Sequence, residues 1–296
     1  MNNKLLSWLL FTLLCFIWGS SFILMKEGKT ALTAAQIASL RIFSAGIVFI
    51  PFAFYHIRFI PRKKMGLMVV TGLFGNLFPA FLFAAAIIKL DSSLEGILNS
   101  LTPICMVIIG IAFFKDKIEW QKILGVIVGF AGLCLLAISR QDINLGNLGY
   151  AGLVVLATIF YGLNVNIVGH FLKDIRPVHM ASVSLAFMSV PAGIVLWSQG
   201  FFSLDFSVRD LQWSVLNVVV LGIVGSAFAT VLFYALVQKA GPLFASLVTY
   251  GIPFVALFWG ALVGETITIK DIACLLLILL GVFLAKLQIG KKVVDR

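Results

Sequence analysis

Charge is scarce in this chain. Of 296 residues, 22 are Lys or Arg and 12 are Asp or Glu, together 11% of the sequence, against 61% hydrophobic residues. Soluble domains use roughly 45–50% apolar residues, so a water-soluble fold of this length could not hide so much apolar surface. Histidine is also rare, with His56, His170 and His179 only. There is no HExxH and no Walker A sequence, and Gly19-Ser20-Ser21 lacks the G-x-S-x-G spacing of a nucleophile elbow. No base stands beside a nucleophile, so enzymatic activity is not expected, and neither is direct use of ATP. The four cysteines, Cys15, Cys105, Cys134 and Cys274, fall inside apolar runs without CxxC or metal-ligand spacing. They read as small packing residues, and no metal or cofactor is called for. The formal net charge of +10 has no solvated basic face to carry it, which argues against nucleic acid as a partner and leaves membrane orientation as its use.

What the chain does have is apolar runs of bilayer length. A lipid interior offers the backbone no hydrogen-bond partners, so a spanning segment must satisfy its own as a helix of about 20 residues. Ten such stretches are expected, at Leu5 to Met25, Ala34 to Tyr55, Gly66 to Ile88, Ser92 to Phe114, Gln121 to Ser139, Gly149 to Gly169, Val178 to Gln199, Trp213 to Val237, Leu243 to Val263 and Lys270 to Leu287. Lys4 precedes the first, which reaches the length of a span and is followed by no A-x-A site, so it reads as a helix rather than a signal peptide. The connections are short. Fifteen Lys and Arg fall at the termini and in alternate loops against 6 on the opposite side, with Arg41 inside a span; the positive-inside rule then puts both termini in the cytoplasm and the chain in the cell inner membrane.

The chain also repeats itself. A shift of 150 residues brings Gly72 onto Gly222, Gly75 onto Gly225, Phe78 onto Phe228, Leu82 onto Leu232 and Phe83 onto Phe233, and then Ala85, Lys89, Pro103 and Gly110 onto Ala235, Lys239, Pro253 and Gly260. Residues 1–140 and 141–296 therefore read as two five-helix units. Five is odd, so the second unit enters the membrane from the opposite side, and the fold class expected is all-α integral membrane, ten helices as two inverted repeats. Inverted repeats are a frequent basis for alternating access, with the site near the bilayer midplane.

The string Trp18-Gly19-Ser20-Ser21-Phe22, Arg41, and the segment from Leu98 through Thr102-Pro103 to Ala137 resemble the EamA-like drug/metabolite transporter superfamily. So do Pro253, Gly264-Glu265 and Gly281, and the likeness covers essentially the whole chain. Lys115-Asp116 departs from the Gly-Glu usual at that place, although an acidic residue ahead of a helix suits the dipole in either form. The resemblance implies a secondary transporter exporting amino acids, related metabolites or amphipathic drugs. A channel is the competing class; it would favour rings of charge or carbonyls around a pore.

A site on the pseudo-axis requires polar residues that recur in both halves. Asn76 matches Ser226, and Asn99 matches Thr249, each of the latter pair four residues before its proline. At an offset of 143, Trp18 matches Tyr161 and Ser21 matches Asn164. With Tyr250, these are the expected substrate-binding residues, and Pro103 and Pro253 the expected helix kinks. Arg41 lies roughly 10 to 12 Å below the outer surface at 1.5 Å per residue, where a charge must face protein or water rather than lipid. Glu95 is its expected partner at the outer side of the cavity; a structural ion pair and a carboxylate-binding Arg are both open. Gly125-x-x-x-Gly129 fits close helix packing, within the chain first and in a homodimer second.

Overall fold

Thr33 opens the second helix with a reciprocal cap: its hydroxyl accepts from Gln36 N (3.2 Å), and the Gln36 side chain accepts from Thr33 N (2.9 Å). Gln36 then donates to Gln199 O (3.1 Å), tying this end of the helix to a distant turn. The computed structural model describes residues 3–90, 92–140, 148–262 and 268–286. Gly264, Glu265, Val263 and Leu287, used in the sequence argument, lie outside them. Every regular element among the described residues is helical: α1 (Asn3–Gly28), α2 (Ala34–His56), α3 (Met65–Gly72), α4 (Phe78–Ala86), α5 (Ser92–Asn99), α6 (Thr102–Phe114), α7 (Trp120–Arg140), α8 (Leu148–Phe171), α9 (Pro177–Ser198), α10 (Arg209–Val220), α11 (Ala229–Ala240), α12 (Pro242–Ser246), α13 (Val248–Leu262) and α14 (Ile269–Lys286), with short 3-10 turns between some of them.

Two of the expected spans are each one rod of two α-helices joined by a π-helical stretch. Leu73–Leu77 joins α3 to α4, and Leu221–Phe228 joins α10 to α11. The two widened stretches fall in the register of the 150-residue repeat. Helix breaks divide two further spans, at Ser100 and Leu101 between α5 and α6 and at Leu247 between α12 and α13. The prolines act differently from the kinks expected of them. Pro103 lies in the first turn of α6, just past the break, where its missing N–H is no loss. Pro253 lies inside the continuous α13, and the break comes six residues earlier.

Seven segments among the described residues are long and apolar enough to cross a membrane: Lys4–Gly28, Ala34–Phe59, Arg62–Ala86, Leu148–Phe171, Pro177–Ser198, Arg209–Ala240 and Pro242–Trp259. Thr102–Phe114 and Trp120–Leu136 are shorter apolar helices. Large apolar side chains stand on the outside throughout, among them Phe54 at 79%, Phe113 at 78% and Trp197 at 71% exposure. Apolar surface on this scale needs lipid to cover it, and the protein is a multi-pass membrane protein.

The ends of the bundle differ. At one end Lys64 donates to Phe171 O (2.8 Å) and pairs with Asp174, His170 meets Asp116 (2.8 Å), and Gln238 donates to Ile175 O (2.6 Å). The Lys64 hydrogen bond holds the exposed Asp174 carboxyl below its usual range, so its small contribution is present at neutral pH and lost as pH falls through that lowered value. At the other end Lys29 donates to Ile87 O (3.0 Å), Thr30 bonds Ser214 (2.7 Å) and Trp213 donates to Glu27 (3.1 Å).

The most extensive helix pairings are α2 with α9 and α7 with α14. In the second, a Cβ on Gly281 would fall 2.3 Å from Gly129 N, and one on Gly125 would fall 2.4 Å from Ala285 N. The Gly125-x-x-x-Gly129 stripe thus serves a contact within the chain, as expected first.

Candidate functional site

Trp18 on α1 donates from Nε1 to Gly225 O (3.0 Å) in the second π stretch. A π turn leaves carbonyls out of the ordinary i to i−4 ladder and free for such a bond. This contact forms one wall of a buried cavity of about 110 Å³ bounded by α1, α2, both π-stretch rods, the α5–α6 break, α8 and the α12–α13 break. At roughly 10–15 Å³ per water-sized probe, that is room for a small metabolite.

Eight of the eleven residues expected from the sequence line it: Trp18, Ser21, Arg41, Asn76, Asn99, Tyr161, Asn164 and Thr249. The structure places the other three differently. Ser226 accepts a hydrogen bond from Arg41 Nε (2.7 Å), so it sits behind the guanidinium. Glu95 is fully buried, and neither carboxyl oxygen has a hydrogen-bond partner. A direct ion pair between Arg41 and Glu95, one of the two readings left open by the sequence, is therefore not formed; Glu95 acts on Arg41 only at longer range. Tyr250 turns away from the cavity and donates to Val126 O (2.8 Å), its ring over Gly129.

The polar groups of the cavity are incompletely satisfied. Thr230 donates to Asn76 Oδ1 (3.2 Å), but Asn76 Nδ2, Asn99 Oδ1, Asn164 Oδ1 and the Tyr234 hydroxyl are buried without a partner of good geometry, although Tyr234 lies beside Asn76 and Asn164. Buried polar atoms are rarely left so, and each unpaired group costs about 1–3 kcal/mol. Unpaired donors and acceptors beside an Arg cation are what a polar solute or ordered water would complete. Around them stand apolar side chains including Phe22, Met25, Phe83 and Phe233, the usual division of a ligand pocket. Sequence reasoning did not select Phe83 and Phe233, although they form a matched pair in the 150-residue register.

The walls repeat. A Cβ on Gly75 would meet Asn164 Nδ2 at 2.5 Å, and one on Gly225 would meet Ser21 Oγ at 3.0 Å. Gly75 matches Gly225 and Ser21 matches Asn164, so one close approach is made twice. Likewise Gly19 faces Val255 and Gly162 faces Cys105, again matched partners.

A helical multi-pass fold around a mainly apolar cavity that carries a few polar groups is the architecture of a membrane transporter. The sequence pattern of the EamA-like transporter family matches twice, over residues 5–138 and 148–287. The chain belongs to that family. It is 25% identical over 282 residues to an uncharacterized transporter of Archaeoglobus fulgidus, covering 94% of this chain and 97% of that one. It is 24% identical over 283 residues to the uncharacterized transporter YoaV of Bacillus subtilis, covering 90% and 92%. A solved crystal structure superimposes with a TM-score of 0.72 over 94% of this chain and 96% of its own, at 17% identity.

Proposed function

We propose that this transporter is a secondary carrier that moves small metabolites, amino acids or related compounds and amphipathic drugs among them, across the inner membrane by alternating access, in the direction of export. The observation that carries the reading is the doubled wall of the cavity: Gly75 against Asn164 and Gly225 against Ser21. A site built from equivalent contacts of two halves lets the halves exchange conformations and open it to either side.

The reading includes ten spans and two inverted five-helix repeats, residues 1–140 and 141–296. It is supported by the pairing of equivalents, α2 with α9 and α7 with α14, and by the reciprocal contacts α1 with α13 and α8 with α6. A two-fold axis makes elements beside it pair with their own equivalents. The contacts of Lys64, Asp116, His170 and Gln238 bring loops assigned to one side together at one end of the bundle, which supports the alternation of sides, and the surplus of Lys and Arg on that side supports cytoplasmic termini. A C-terminal reporter active only in the cytoplasm is expected; activity only on the periplasmic side overturns this topology.

Function is tested by a thermal-shift screen of purified protein against a metabolite library, since a ligand binding only the native state raises its melting temperature. The hits then enter counterflow in proteoliposomes. A carrier gives saturable, trans-accelerated uptake. Flux that grows linearly with concentration and shows no counterflow identifies a channel instead.

A further inference from the structure

Glu95 lies one turn before Asn99 on α5, at 0% exposure, with both carboxyl oxygens unpartnered. An ionised carboxylate held without water or hydrogen bonds is strongly disfavoured, whereas the neutral acid is tolerated far better. The charged and titratable groups that reach it are Arg41 on α2, Lys29 ahead of α2 and Tyr161 on α8. Lys29 is engaged by Ile87 O at 3.0 Å. α7 and α13 also pack on α5, and their titratable groups Cys134 and Tyr250 act on each other rather than on Glu95. Both cations act on Glu95, Arg41 the more strongly; Arg41 is the one that borders the cavity, and its Nε is bound only to a neutral hydroxyl, Ser226 Oγ at 2.7 Å.

Two charge states follow. With Glu95 ionised, its charge balances Arg41 within the protein. With Glu95 protonated, Arg41 is an uncompensated cation at the edge of a buried cavity, which attracts an anion. We infer that a carboxylate-bearing solute and a proton occupy this site together, the solute carboxylate on Arg41 and the proton on Glu95.

The step is a simple protonation: one proton from solvent forms the O–H bond of Glu95 as the solute carboxylate takes its place as counter-ion to Arg41, and both are released together. Because the two carboxylates compete for one cation, proton binding and solute binding strengthen each other by the same factor. Proton and solute therefore travel in the same direction, and a monocarboxylate moves without net charge. This rests on reading the cavity as the solute site.

Benzoate is a suitable probe, since its ring suits the aromatic lining of Trp18, Phe83 and Phe233 and it stays ionised between about pH 6 and 9, above the carboxylic acid range. Calorimetric titration of the purified protein in buffers of different ionisation enthalpy is expected to show uptake of about one proton per benzoate, with affinity falling by up to about tenfold per pH unit as pH rises. Glu95→Gln, which mimics the neutral acid, is expected to bind benzoate with no proton uptake and no pH dependence, and Arg41→Gln to lose binding. On benzoate binding, the infrared band of a protonated carboxyl is expected to appear in the wild type and to be absent from Glu95→Gln. Benzoate binding by the wild type without proton uptake overturns the inference, as does Arg41→Gln binding it normally. If the wild type exchanges a library substrate in liposomes yet takes up no proton with benzoate, this inference alone falls; if it neither exchanges nor binds, the transport reading falls with it.

Discussion

Arg41→Gln is expected to lower transport by two orders of magnitude or more while leaving the protein folded. The guanidinium is the one charged group on the cavity wall among the described residues, and a charge-assisted bond to a solute carboxylate in a dehydrated site, once lost, costs about 2–5 kcal/mol. Since 1.4 kcal/mol is tenfold, the middle of that range gives the expected loss. The rival role is a brace, because Arg41 Nε also ties α2 to the second π stretch through Ser226 (2.7 Å). Ser226→Ala removes that tie and keeps the cation, so it is expected to cost about 1.5–3 kcal/mol of stability with transport largely retained per folded molecule. If Arg41→Gln instead reduces the yield of folded protein and leaves the activity of what remains unchanged, Arg41 is a brace and not part of the site.

The largest structural effect is expected from Gly281→Val. A Cβ at 281 would sit 2.3 Å from Gly129 N, 2.5 Å from Gly129 Cα and 2.7 Å from Gly125 O. All three are backbone atoms, and no side chain can rotate aside to relieve the clash. The two helices must part, which opens a seam that buries Val126, Leu133, Ile278 and Val282 almost completely. Overpacking costs about 1–3 kcal/mol where neighbours can adjust, and here they cannot, so about 3 kcal/mol or more is expected. For a chain of this size that is a fall in melting temperature of roughly 6–12 °C, read by fluorescence-monitored unfolding in detergent. Gly152 on α8 has nothing within 4 Å of its Cβ position, and Gly152→Ala is the matched control with no expected loss. Equal stability of the two variants contradicts the close α7–α14 approach.

The helical stretches were legible in the sequence because lipid imposes one backbone solution on a long apolar run. Their interruptions were not. A π stretch differs from an α-helix by a small widening that no residue type marks, and Leu73–Leu77 and Leu221–Phe228 read as plain apolar sequence. Pro103 did point to a break, but from the first turn of the following helix.

Candidate site residues were legible through recurrence rather than polarity. Matching positions in the two halves identified Ser21, Asn76, Asn99 and Asn164, all on the cavity wall. Tyr250 was expected on the wall as an aromatic side chain, and helical geometry explains where it went: successive residues point about 100° apart at 3.6 per turn. Thr249 therefore takes the cavity side, and Tyr250 turns to α7. Arg41 with Glu95 was a pairing by depth, and depth alone does not reveal that Ser226 stands within reach of the guanidinium.

The central claim is a solute cavity reached in turn from both sides of the membrane. Its most direct test is thiol accessibility at Asn76→Cys, Asn99→Cys and Asn164→Cys, made singly in a background without Cys15, Cys105, Cys134 and Cys274 and assayed in vesicles of each orientation. Alternating access predicts that a water-soluble thiol reagent modifies these positions from either side and that a transported solute slows the reaction. Failure of all three to react from either side, with no protection by solute, contradicts it.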